Sequence, residues 1–138
     1  MANTYNIFIS HSWAYGDAYD RLVDLLNARG YFSFKNYSVP KDDPIHNTRN
    51  EQALYNAIYA QIEPASVVLI MAGVYSTYSK WINHEIQIAK RSFSYPKPII
   101  AVKPWAQTNV SSVVQENADE LVGWNTESVV AAIRKWAT

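Results

Sequence analysis

Short apolar runs alternate with stretches of helical period along nearly the whole chain. YNIFIS (5–10) is a compact β-rich run, and GDAYDRLVDLLNARG (16–30) carries Tyr19, Leu22, Val23 and Leu26 at helical spacing before Gly30, a residue suited to ending a helix. YFSFKNY (31–37) predicts a second strand, after which Pro40 and Pro44 bound the loop SVPKDDPIHN. Thr48 and Glu51 have the spacing of a capping box. The helix they open has a stripe of Ala53, Leu54, Ala57, Ile58, Gln61 and Ile62, and Pro64 ends it. SVVLIMA (66–72) is a continuous run of the kind found in a strand covered on both faces, and PIIAV (98–102) reads the same way. Residues 103–124 are less regular, with a short helix expected near 111–118 and an edge strand near 120–123. Thr126 is then expected to cap a last helix with Val129, Val130, Ile133 and Trp136 on one face.

Between the third and fourth strands lies YSTYSKWINHEIQIAK (75–90), a serine-rich loop running into an amphipathic helix. With Trp81 set at zero and about 100° per residue, Asn83, His84, Gln87, Lys90 and Arg91 gather on one side, so His84 is expected to be exposed. Ile82, Ile86, Ile88 and Ala89 gather on the other. Glu85 falls near the middle of that apolar side. Burying an unpaired carboxylate costs several kcal/mol or neutralises it, so Glu85 needs either a partner or a cleft. On spacing alone, a structural ion pair with Arg21 or Arg134 and a catalytic role are equally good accounts.

Alternation of buried strands with amphipathic helices predicts one α/β domain over residues 1–138, with a central parallel sheet of about five strands and helices on both faces. Such sheets place functional groups beyond the C-terminal ends of their strands, near the point where strand order reverses. The loops expected there, SHSWAYGD, NYSVPKDDPIHN and GVYSTYSKW, are rich in hydroxyls, amides and aromatic rings, which suit a sugar and a flat base. The candidate binding residues are Ser10, His11, Ser12 and Trp13 after the first strand, Asn36, Tyr37 and Asp43 after the second, and Trp81 as a wall of the site. Ordinary loop capping explains the first group equally well, and Trp81 alone is more often a core residue.

Composition narrows the classes. Twelve basic residues balance twelve acidic ones without a like-charge run, so nothing indicates a nucleic-acid or anionic-membrane partner. The chain has no cysteine, which excludes disulfides and thiol nucleophiles, and its three histidines lack metal-site spacing. With no apolar run of transmembrane or signal length, the expectation is a cytoplasmic protein that needs no metal.

The first strand YNIFISHS, the proline-flanked loop after the second strand, and Ser76, Ser79, Trp81 and Glu85 after the third together resemble the TIR domain, in the form found in the Thoeris antiphage system. The likeness runs nearly end to end. It departs from commoner TIR patterns at Asn6, at KDDPI and at Ile82, and these departures weaken any transfer of receptor-type assembly surfaces. The resemblance implies a flavodoxin-like sheet and a catalytic glutamate at Glu85 that cleaves NAD at the nicotinamide ribose. NAD would be substrate, and no cofactor is expected. It further implies a cyclic ADP-ribose variant that activates a separate effector, ThsA, a phage-derived trigger of unknown nature, and self-assembly. Two other readings stand beside it: a TIR interaction module without turnover, and a nucleoside deoxyribosyltransferase.

Overall fold

The computed structural model describes residues 4–10, 18–30, 32–37, 51–71, 79–103 and 112–137. In chain order the elements are β1 (Thr4–Ile9), α1 (Ala18–Asn27), β2 (Ser33–Asn36), α2 (Glu51–Ile62), β3 (Val67–Met71), α3 (Ser79–Arg91), β4 (Ile99–Val102), α4 (Ser112–Asn117), β5 (Glu120–Val122) and α5 (Thr126–Trp136). The sheet has five strands in the order β2-β1-β3-β4-β5, and every pairing is parallel. This is the flavodoxin-like α/β fold, with its reversal of strand order between β1 and β3.

Two apolar layers, one on each face of the sheet, follow from the two-residue period of the strands. Ile7, Ile9, Val67, Leu69, Ile100 and Val102 face α1 and α5, where Leu22, Leu26, Val129, Val130 and Ile133 meet them. Phe8, Val68, Ile70, Ile99 and Ala101 face the other way, onto Ile58 and Ile62 of α2, Ile86, Ile88 and Ala89 of α3, and Val114 of α4. Because β3 and β4 are covered on both faces, their residues read as unbroken apolar runs. Each fully buried Val, Ile or Leu contributes about 1.5–3 kcal/mol.

Element ends are set more locally. Asn125, not Thr126, is the N-cap of α5: its side chain accepts from the Ser128 amide at 3.1 Å, and Thr126 is the first helical residue. The helix α1 stops at Asn27, so Gly30 lies beyond its end rather than capping it. Past α2, the ammonium of Lys97 donates to the carbonyls of Glu63 at 2.9 Å and Ala65 at 2.7 Å, satisfying oxygens of the turn that leads from the helix into β3. Burial lowers the pKa of Lys97, and the charge of Glu63 opposes that shift. The proposed cap at Thr48 and the side chains of Tyr19 and Leu54 lie outside the described residues.

Candidate functional site

The site is built where β1 ends. Ser10 continues the alternation of its strand, so its side chain lies on the same face as Phe8, toward α3. Its amide donates to the Leu69 carbonyl at 3.0 Å, which fixes it against β3. Across that boundary comes α3, whose apolar side packs on the sheet while Asn83 and Gln87 remain exposed. Glu85 is on the packed side, as the helical spacing predicts.

Ser10 and Glu85 are the two polar residues found among the buried side chains of the described residues, both at 0% exposure. The Ser10 hydroxyl donates to Glu85 Oε1 at 2.8 Å. The structure thus supplies a hydroxyl partner for the carboxylate that the sequence left open. Arg134 lies over the ring of Phe32, 5.7 Å from its centroid, on the α1/α5 face of the sheet. Arg21 is an exposed residue of α1, on that same face.

Asn36 and Tyr37 end β2 one strand outward, with Asn36 in register with Ile7 and the Tyr37 amide bonded to the Ile7 carbonyl at 2.8 Å. That register puts both toward the C-terminal end of the parallel strands, as Ser10 is, with Asn36 exposed and Tyr37 half-buried. His11, Ser12, Trp13 and Asp43 lie outside the described residues. Trp81 is placed one helical turn before Glu85 in α3, and its side chain lies outside the description too.

One neighbour differs from its sequence-based reading. His84 is half-buried rather than exposed, edge-on to Tyr55 of α2 with ring centroids 6.1 Å apart, and the Tyr55 hydroxyl lies 2.7 Å from Ser92 Oγ. A single-helix wheel marks His84 as polar because it contains no information about α2. Among the described residues no group of three or more His, Cys, Asp or Glu is disposed to hold a metal ion. None of the described helices is long and apolar enough to cross a membrane.

A parallel five-stranded sheet with a buried carboxylate beside the reversal of strand order defines the class, a flavodoxin-like α/β domain with a candidate site at the β1/β3 edge. The family model of Thoeris protein ThsB, TIR-like domain, matches residues 8–109, and the chain belongs to that family. Membership places it in Thoeris antiphage defence. Among solved structures it is similar to FerB, a flavoenzyme NAD(P)H:(acceptor) oxidoreductase from Paracoccus denitrificans. The TM-score is 0.50 at 16% identity, over 97% of this chain and 96% of that one. At that identity the likeness concerns the fold alone. No curated protein matches the sequence.

Proposed function

We propose that this TIR-like domain cleaves NAD at the nicotinamide ribose and joins the remaining ADP-ribose to itself, forming a cyclic ADP-ribose variant that activates a separate effector of the ThsA kind. The observation that carries this reading is Glu85, a carboxylate held on the apolar side of α3 beside the strand-order reversal. Loss of nicotinamide from NAD develops positive charge on the ribose, and a carboxylate near that carbon stabilises it. Nicotinamide leaves as a neutral molecule, so the step does not require a general acid. Cyclisation then needs the adenosine end folded over the ribose and water kept out, a role suited to the aromatic residues of the loops.

The complete burial of Glu85 favours a second reading, an assembly module without turnover in which the Ser10–Glu85 pair is structural. Protein from phage-challenged cells, incubated with NAD, separates the two. The expected result is release of nicotinamide together with a cyclic product, and activation of purified effector by the protein-free filtrate. An inert filtrate, with activation only by the intact protein, replaces the messenger reading with the assembly reading.

A further inference from the structure

The sequence offers Ser10 as a candidate binding residue, but its position in the structure suits another task. Its side chain is 0% exposed, and its hydroxyl donates to a carboxylate 75 residues away along the chain. The serine is itself fixed, because its amide is bonded to β3 at Leu69 and its side chain has a single heavy-atom torsion. Glutamate is the flexible partner, with three torsions between its backbone and its oxygens.

We infer that Ser10 is a positioning residue for Glu85, holding the carboxylate in its working orientation without touching NAD. The inference rests on the catalytic reading of Glu85. A rigid strand end is the right donor for this purpose. Groups mounted on regular elements hold a catalytic geometry better than groups on loops, and working tolerance is on the order of 0.5 Å. The bond also ties the first βα unit to the third. Both partners are buried, so water competes poorly for the hydroxyl proton, and the orientation persists in the resting protein.

The test compares Ser10→Ala, Ser10→Thr and Ser10→Cys with the native protein, all recovered from phage-challenged cells. Misplacing a reacting group by about 1 Å can cost about a hundredfold in rate, so Ser10→Ala is expected to lower kcat by about 10- to 100-fold. Because the inference gives Ser10 no contact of its own with NAD, KM should stay within about twofold. Ser10→Thr keeps the hydroxyl and should recover most of the rate. Ser10→Cys keeps the volume with a weak donor and should not, which covers the case of an alanine variant that fails to fold.

A second measurement needs no turnover. In protein carrying glutamate labelled with carbon-13 at the side-chain carboxyl, the resonance missing from Glu85→Gln identifies Glu85. It should move in Ser10→Ala and return in Ser10→Thr. A folded Ser10→Ala with native kcat, a loss confined to KM, or an unmoved Glu85 resonance overturns the inference. Native turnover by Glu85→Gln would instead overturn the catalytic reading, so the two failures are distinct.

Discussion

The amide of Ser10 donates to the carbonyl of Leu69 at 3.0 Å, so the residue whose hydroxyl reaches Glu85 is itself part of the β1–β3 ladder. Removing that hydroxyl therefore breaks its bond to Glu85 and leaves the ladder in place. It leaves Glu85 short of one donor, and a buried polar group deprived of a partner costs about 1–3 kcal/mol. Ser10→Ala is expected to lose that much in urea denaturation, with an unchanged slope against denaturant.

Glu85→Gln keeps the shape and removes the charge. If the carboxylate stabilises the ribosyl cation, nicotinamide release should fall by about a hundredfold or more. Far-ultraviolet circular dichroism should remain that of the native protein. Undiminished release by a folded variant would leave Glu85 with a structural role.

Glu85 at 0% exposure cannot meet a substrate in the conformation described. If Glu85 acts on NAD, activation has to uncover it while the Ser10 bond is kept. Water-soluble carbodiimide should modify the exposed carboxylates of the resting protein, such as Glu127, while sparing Glu85. In protein from phage-challenged cells Glu85 should become reactive, as peptide mass mapping would reveal. Equal reactivity of Glu85 in both preparations would separate activation from access.

At the far edge of the sheet, Trp136 Nε1 donates to Glu120 Oε1 at 2.9 Å, and the Lys135 ammonium lies 3.3 Å from the same oxygen. The indole bond lowers the pKa of Glu120 below its ordinary 4.5, and Lys135 adds to that; slight burial opposes it. A carboxylate favoured by folding contributes stability above that ordinary value and loses it as pH falls through the lowered one. The pair is partly exposed, so its pH-dependent share should be below about 1 kcal/mol. Trp136→Phe is expected to be less stable than the native chain at pH 7, with the gap narrowing as pH falls below the ordinary 4.5 of the carboxyl. Part of the gap should persist at low pH, since the indole also packs against Trp136's apolar neighbours on α5 and the sheet.

The sequence carried the order of elements because each element has its own periodicity. Val67 to Ile70 and Ile99 to Val102 are apolar without interruption since both faces are covered. The stripe of Leu22 and Leu26 marks a helix with one covered face in the same way. Glu85 was legible for the complementary reason: a charge on an apolar face violates the pattern of its own helix. The choice between Asn125 and Thr126 as cap was not legible, because both side chains can accept the amide bond and chain geometry selects between them.

What the tertiary structure alone decided is which distant groups meet. Period two places Ser10 on the face of Phe8, and period 3.6 places Glu85 on the face of Ile86 and Ala89, but neither rhythm says that those faces are the same side of one sheet. That depends on the strand order β2-β1-β3-β4-β5, which sends α2 and α3 to one face and α1 and α5 to the other. The same layering pairs His84 with Tyr55 and puts Arg134 across the sheet from Glu85. Local pattern fixes what a residue needs, here a partner for a buried charge; long-range packing decides which residue supplies it.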